Sequence, residues 1–288
     1  PVLVINKVPE AYARLSAVEY PRVGEKVLEW DGLLYTFEAN NSWTGVPATD
    51  AIIAQTIEDN IDDSALDPCT KGVFQQIKTT TVCDFSEILM KFDANNSVYN
   101  VIIKSQVAPS WQPAQTVWNS AYNYTVYISS DYAGKTKLFI AALMFHEIIH
   151  AHFMSLFDNF YNSNPPNKNA YNDFPTLFHY YVTLKRPESL NAADFHHQQI
   201  AESYVDAIAR GLQEYQTGVP VQEGLNPDRA YSDLAWGTLQ ETPIFEAIYP
   251  VGNQNRQRIL NRYETEQSGN LAGQGTPQAQ TPIGKPCN

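Results

Sequence analysis

The feature that most constrains the fold is the apolar stretch from Thr136 to Phe153, which contains neither glycine nor proline. Thr136 comes shortly after Gly134 and is a predicted N-cap. Two adjacent stripes appear at helical spacing: Leu138, Ala142, Phe145, Ile149 and Phe153, and then Phe139, Leu143, His146 and His150. With so few polar positions, this helix is predicted to lie at the centre of a domain.

The same helix carries an H-E-x-x-H motif, from His146 through Glu147 to His150. Residues four apart lie on one helix face, so the two imidazoles could bind one Zn²⁺ at about 2.0–2.1 Å. Glu147 is then predicted to be the general base that takes a proton from the activated water. Two hydrogen-bonded core histidines are the alternative. Burying two imidazoles and a carboxylate without a metal is costly, so the metal site is favoured.

A catalytic zinc site usually has three protein ligands and one open position. The short metzincin extension is absent, because Phe153 and Leu156 stand where it requires glycine and histidine. The third ligand is therefore expected on a second helix, 197–215. His197 lies on the predicted inner stripe of that helix and is the expected ligand; the stripe continues through Ile200, Ala201, Tyr204, Ile208, Leu212 and Tyr215.

Other residues of the second helix keep alternatives open. Glu202 with Asp206 has the E-x-x-x-D spacing of thermolysin-like gluzincins, in which the glutamate binds the metal. Both residues are nevertheless predicted on the polar face, where Asp206 can pair with Arg210. His196 lies about 100° around the helix from His197.

Several further side chains are candidates. Tyr204 is the first candidate to stabilise the tetrahedral oxyanion of the reaction, with core packing as its default role. The alternatives for the same role are Tyr180, Tyr181 and Tyr231. His152 follows His150 by two residues and points away from the ligand pair, so it is predicted to be structural. His179 is predicted to serve packing or to lie on the surface.

Four segments carry a resemblance to a known family: Leu66-Asp-Pro-Cys69, His146-Glu-Ile-Ile-His-Ala151, the 197–215 helix, and Leu234-Ala-Trp-Gly-Thr-Leu-Gln240 with Thr242. Together they resemble a group of bacterial zincin-like metallopeptidases, often found in secreted or surface proteins. The resemblance covers about two thirds of the chain. It implies a zincin-like fold, peptide-bond hydrolysis, and His197 as the remaining zinc ligand.

The predicted fold class is α+β, in three parts. Residues 1–50 form a short β-rich module, 51–264 a zincin-like domain that is mainly helical with a small mixed sheet, and 265–288 a flexible tail rich in Gly, Gln, Pro and Thr. In the first part, Asp31-Gly32 predicts a hairpin between 26–30 and 33–37. Trp30, Tyr35, Phe37 and Trp43 are expected to form a small aromatic core.

Further elements are predicted from local signals. Segments 99–104 and 124–129 are strands, and helices begin at Asp67-Pro68 and Asp84 and cover 231–239 and 242–248. Residues 50–65 are a linker or a short helix. By analogy with zincins, the strand 124–129 before the metal helix is expected to be a sheet edge that could pair with an extended peptide.

Composition limits the partners. The net charge of −12 disfavours nucleic acid and anionic membrane as partners, and no apolar run is expected to approach membrane-spanning length, the longest being the 136–153 helix itself. The expected partner is a protein or peptide substrate. The chain starts at Pro1 rather than Met, so it is expected to be part of a larger polypeptide or assembly. Cys69 and Cys83 flank one helix and could bridge, leaving Cys287 unpaired.

The resulting hypothesis is an extracellular, cell-surface or particle-associated zinc metallopeptidase. Its predicted site comprises the catalytic Glu147 and the zinc ligands His146, His150 and His197, with Glu202 as the alternative third ligand and Tyr204 as a weaker catalytic candidate. The alternative function is a catalytically silent, zinc-containing binding or structural module of a surface or phage-tail-like assembly.

Overall fold

The structure is a computed structural model. It describes residues 2–8, 12–16, 18–80, 83–92, 98–107, 113–131, 134–161, 172–184 and 193–287, without the side chains of 13, 159–161, 182–184 and 193–197. The strands are β1 Leu3–Ile5, β2 Lys26–Leu28, β3 Leu33–Phe37, β4 Trp43–Pro47, β5 Ile61–Ala65, β6 Asn100–Gln106, β7 Ala114–Ser120 and β8 Asn123–Ser129. The helices are α1 Ala13–Ser16, α2 Asp50–Asp59, α3 Pro68–Lys78, α4 Phe85–Met90, α5 Lys137–Tyr161, α6 Phe174–Leu184, α7 Ala193–Thr217, α8 Arg229–Gly237, α9 Pro243–Ile248 and α10 Gln254–Ser268.

The first sheet is antiparallel, in the order β1-β4-β3-β2. The predicted hairpin is confirmed, with Leu28 opposite Leu34 across β2 and β3. Tyr35 and Trp43 are buried in a small core of this sheet, but Trp30 is 67% exposed, so its assignment to that core was wrong. Trp30 follows the end of β2, and the guanidinium of Arg14 lies 3.7 Å from its ring centroid.

The second sheet is mixed, in the order β5-β6-β8-β7. β5, β6 and β8 are parallel, and β7 pairs with β8 in the antiparallel sense. The predicted strands 99–104 and 124–129 correspond to β6 and β8. The expectation that 124–129 forms the sheet edge was wrong, because β7 covers that side. Together the helices and two sheets confirm the α+β class.

Helix α5 is the central element, as its composition predicts. Thr136 is its N-cap, since Thr136 Oγ1 accepts a hydrogen bond from Phe139 N at 3.1 Å. Every residue of the first predicted stripe is fully buried: Leu138, Ala142, Phe145, Ile149 and Phe153. One end of α5 is joined to the second sheet by Asp158, whose carboxylate accepts hydrogen bonds from Trp118 Nε1 and Tyr122 N, both at 2.9 Å. This attachment fixes α5 against β7 and β8.

The expectation that no apolar run approaches membrane-spanning length was wrong, because this helix has the length and composition of a membrane span over Lys137–Asp158. In this fold 94% of that stretch is buried inside the protein. Such burial is what a central core helix requires, and the same helix therefore gives little reason to expect a membrane.

Local end signals account for the helices before α5. Asp67 caps α3, accepting from Cys69 N, and Asp84 caps α4, accepting from Glu87 N. Both predicted starts are confirmed. The segment 50–65 is the helix α2 followed by the strand β5 rather than a linker. Its apolar positions Ile53 and Ile57 are buried, which explains why an acidic segment folds.

The C-terminal segment corrects two predictions. Residues 269–287 are ordered against the fold: Glu266 accepts from Ile283 N at 2.8 Å and from Gly284 N at 3.1 Å. A disulfide joins Cys69 of α3 to Cys287, so Cys83 is the free, buried cysteine and the Cys69–Cys83 pairing was wrong. Composition suggested disorder, but these tertiary contacts hold the segment next to the start of α5.

Candidate metal centre

A cleft of about 640 Å³ opens beside the middle of α5. His146, Glu147 and His150 line it together, so the structure brings these three predicted residues to one site. The volume is in the range of ordinary ligand sites. The other walls come from β7 with the residue before it, the start of α6, and the segments 238–242 and 263–267, represented by Thr116, Phe174, Glu241 and Tyr263.

His146 is held from two sides. Its Nδ1 lies 2.7 Å from the hydroxyl of Tyr204 on α7, and its ring centroid is 4.1 Å from that of Phe174. Burial lowers the pKa of His146 to about 4; nearby Glu147 opposes this and His150 adds to it. The imidazole is therefore neutral at pH 7, the form that binds a metal ion.

Glu147 is buried, and its carboxylate has defined partners. Thr116 Oγ1 on β7 lies 2.6 Å from Glu147 Oε2 and 3.0 Å from the Glu147 carbonyl oxygen. His150 Nδ1 is 3.5 Å from the same Oε2. Burial raises the pKa of the Glu147 carboxyl, but His150, His146 and Thr116 together outweigh burial and hold the pKa below its ordinary value. The group is therefore a carboxylate at neutral pH, as a general base must be.

The chemistry of the two imidazoles suits a shared metal ion, but their present separation is larger than one ion requires. The Nδ1 of His146 faces the Tyr204 hydroxyl, and the Nδ1 of His150 faces Glu147 Oε2. In metal sites such a contact at Nδ1 orients the ring so that Nε2 can bind the ion. The ring centroids are 6.4 Å apart. Two imidazoles on one tetrahedral ion at about 2.0–2.1 Å would have centroids about 5 Å apart. Binding of one ion by both rings therefore requires the distance between their centroids to shorten by about 1 Å.

The third ligand is not found among the described side chains. His197 is in the first turns of α7, and its side chain, like that of His196, lies outside the described residues. Within the part of the chain that is described, no group of three His, Cys, Asp or Glu residues could hold a metal. Glu202 is exposed and accepts a hydrogen bond from Gln198 Nε2 at 2.8 Å.

Tyr204 is fully buried, and it is absent from the described residues that line the cleft. Its hydroxyl also lies 3.3 Å from Thr238 Oγ1. From this position Tyr204 can orient the ring of His146. An oxyanion donor would have to face the substrate in the cleft. Periodicity correctly predicted that Tyr204 faces inward, but the contact with His146 depends on how α5 and α7 pack.

Tyr263 on α10 lines the cleft, and sequence reasoning missed it. Its ring packs edge-on against Phe139 at 5.0 Å. Gly237 allows this position, because a Cβ there would lie 2.7 Å from Tyr263 Cβ. Burial raises the pKa of Tyr263, with further contributions from Glu241 and Glu147, so the hydroxyl keeps its proton as a donor. No local sequence signal distinguishes Tyr263 from the other 16 tyrosines of the chain.

The edge strand β7 borders the cleft. Ser129 N of β8 donates to Pro113 O at 2.9 Å, whereas Trp118 N donates to Asn172 Oδ1 at 3.2 Å on the opposite side. Backbone groups alternate along an antiparallel strand, so those of Ala114 and Thr116 also point away from β8. Pro113 through Thr116 line the cleft; Ala114 is half-buried there, whereas Thr116 is fully buried, so its backbone groups are covered.

The cleft is acidic. Asp173 and Glu241 line it in addition to Glu147, and no Lys or Arg does so among the residues that the structure describes. Asp173 also caps α6, accepting from Thr176 N at 3.1 Å. Glu241 is exposed, which leaves its carboxylate in contact with solvent at the cleft.

The remaining described histidines lie outside the site. His152 is buried, with Nε2 3.0 Å from Phe92 O and Nδ1 3.3 Å from the Tyr99 hydroxyl, which confirms its structural role. His179 is exposed on α6.

Comparison with known proteins yields no relative: the chain matches no family model, no curated protein and no solved structure.

Proposed function

We propose that this protein is a zinc-dependent endopeptidase with a zincin-like domain, and that Glu147 is its general base. The observation that carries the proposal is the arrangement on α5. Two imidazoles one turn apart, those of His146 and His150, flank a buried carboxylate, and all three groups line one cleft; burial keeps His146 neutral at pH 7. Burying a carboxylate and two histidines together costs desolvation free energy, and titratable groups buried together in a cleft are concentrated at functional sites.

The proposed ligands are His146, His150 and His197. A bound zinc ion would supply Lewis acidity, polarising the peptide carbonyl and lowering the pKa of a water toward about 7. Glu147 accepts the proton of that water and passes it to the leaving amine. Tyr204 keeps the His146 ring in the orientation that presents Nε2.

The proposed substrate is an extended peptide that pairs with the edge strand β7. The backbone groups of Ala114 face away from β8, and this half-buried residue lines the cleft, so a peptide strand added there would pass next to Glu147. The acidic lining formed by Asp173 and Glu241 favours peptides with Lys or Arg side chains near the cleaved bond.

Tyr263 is the proposed oxyanion donor, replacing Tyr204 in that role. It lines the cleft, its raised pKa keeps the hydroxyl protonated, and Gly237 and Phe139 fix its ring. A preorganised donor of this kind stabilises the charge that develops on the carbonyl oxygen.

We further propose that the protein works in an extracellular, cell-surface or particle-associated setting. The support is the Cys69–Cys287 disulfide, because such bonds form and persist in oxidising compartments.

Metal analysis and cleavage assays on matched variants test the proposal. The full chain should contain one zinc per molecule and cleave an unfolded protein substrate. Glu147→Gln should retain the zinc and lose activity by about 10²–10⁴-fold. His197→Ala should lose zinc, whereas Glu202→Ala, a change on the same helix, should keep both zinc and activity.

Two results would contradict parts of the proposal. Zinc without cleavage of any peptide in a diverse library would favour the silent binding or structural module. Full activity of Glu147→Gln would remove the general-base assignment.

A further inference from the structure

Thr116 connects the edge strand to the catalytic helix at a single residue. Its side chain is fully buried, and its hydroxyl lies 2.6 Å from Glu147 Oε2. Its backbone groups belong to the set that faces away from β8. Thr116 therefore contacts the carboxylate through its side chain, and the strand that carries it lines the cleft from Ala114 onward.

Both contacts of the carboxylate fall on the same oxygen. Thr116 Oγ1 and His150 Nδ1 approach Glu147 Oε2, at 2.6 Å and 3.5 Å. A general base needs one oxygen directed at the water and the other one fixed. Thr116 supplies the shorter of these two contacts. Its strand β7 is also held from the other side, where Trp118 N donates a hydrogen bond to Asn172 Oδ1.

We propose that Thr116 is a positioning residue, which holds Glu147 Oε2 so that Oε1 is presented to the water, and which aligns the base with a peptide bound on β7. This inference rests on the proposed function for its catalytic part. The hydrogen bond itself can be measured without any activity, and the two parts therefore fail separately.

The first experiment is a double-mutant cycle on the stability of the full chain, with a chelator present to remove metal ions. Thr116→Val removes the hydroxyl at nearly constant volume, and Glu147→Ala removes the carboxylate. The Glu147 carbonyl oxygen, 3.0 Å from the hydroxyl, is present in every variant, so its contribution cancels. We expect Thr116→Val to raise the unfolding equilibrium constant at least about tenfold more in the parent than in Glu147→Ala.

A matched control comes from the neighbouring strand. Thr125 on β8 is also buried, and its Oγ1 accepts from Asn119 Nδ2 at 2.8 Å. Thr125→Val should raise the unfolding equilibrium constant by the same factor with and without the Glu147 carboxylate. Equal effects of Thr116→Val in both backgrounds would overturn the inference, whatever the activity of the parent.

The second experiment is kinetic. Thr116→Val should reduce kcat by about 10-fold or more, while KM and zinc content stay within about twofold. Thr116→Ser keeps the hydroxyl and should restore most of kcat, which a purely packing role would not produce. An unchanged kcat in Thr116→Val, or no rescue by serine, would refute the positioning role. A parent that cleaves nothing would instead refute the proposed function.

Discussion

The Cys69–Cys287 disulfide provides the most quantitative prediction, because it closes a loop of about three quarters of the chain. The two cysteines are 218 residues apart in sequence, and their Cα atoms are 5.9 Å apart in the fold. The chain-entropy relation gives a stabilisation of about 5 kcal/mol for a loop of this length. Engineered and native bridges often yield less, so we expect reduction to cost about 3–5 kcal/mol.

Urea denaturation followed by circular dichroism, with and without reductant, measures this effect. The parent should lose stability on reduction, and Cys69→Ser or Cys287→Ser should be equally destabilised but insensitive to reductant. Cys83→Ala is the matched control, because Cys83 is buried and outside the bridge. This variant should respond to reductant as the parent does.

Counting thiols provides an independent check. The denatured, unreduced chain should expose one free thiol of its three cysteines, that of Cys83. Three reactive thiols, or a parent whose urea midpoint ignores reductant, would refute the reasoning.

Four further predictions concern the site and the core. Tyr204→Phe should weaken zinc binding about 10–100-fold in competition with a chelator, and an unchanged affinity would exclude its orienting role. Tyr263→Phe should lower kcat about 10²–10³-fold with little change in KM, and steady-state kinetics would show any contrary result. Glu241→Gln should reduce the preference for Lys over a neutral residue about two- to fivefold in peptide competition, and no loss of preference would contradict the charge argument. Burial is the largest cause that raises the pKa of Glu58, followed by the charge of Asp84; Ser86 N and Lys78 lower it by less. The folded state therefore binds the proton of Glu58 more tightly than the unfolded state does. The contribution of Glu58 to stability therefore declines as pH rises through the window above about 4.3, and Glu58→Gln should remove that decline from urea midpoints measured against pH.

Several features of the fold could be predicted from the sequence because their causes are local. The apolar periodicity of 136–153 predicted a central buried helix, and Thr136 predicted its start. The caps Asp67 and Asp84 and the hairpin turn at Asp31-Gly32 were also identified from neighbouring residues. In each case the deciding hydrogen bond or stripe spans only a few residues of chain.

Other features could not be predicted because their partners are far apart in sequence. The strand β7 was missed, so the sheet edge was assigned to β8. The tail looks disordered by composition, yet Glu266 and the disulfide order it. Trp30 was predicted to be a core residue, but it follows the end of β2 and is exposed to solvent. Its ring contacts the guanidinium of Arg14.

The candidate site divides in the same way. The sequence by itself determined that His146, Glu147 and His150 share one helical turn, since a spacing of four residues fixes their common face. Only the tertiary structure decided that Tyr204 contacts His146, that Thr116 contacts Glu147, and that Tyr263 lines the cleft. Those contacts depend on how α7, β7 and α10 pack around α5, and packing between elements so distant in sequence leaves no local pattern in the chain.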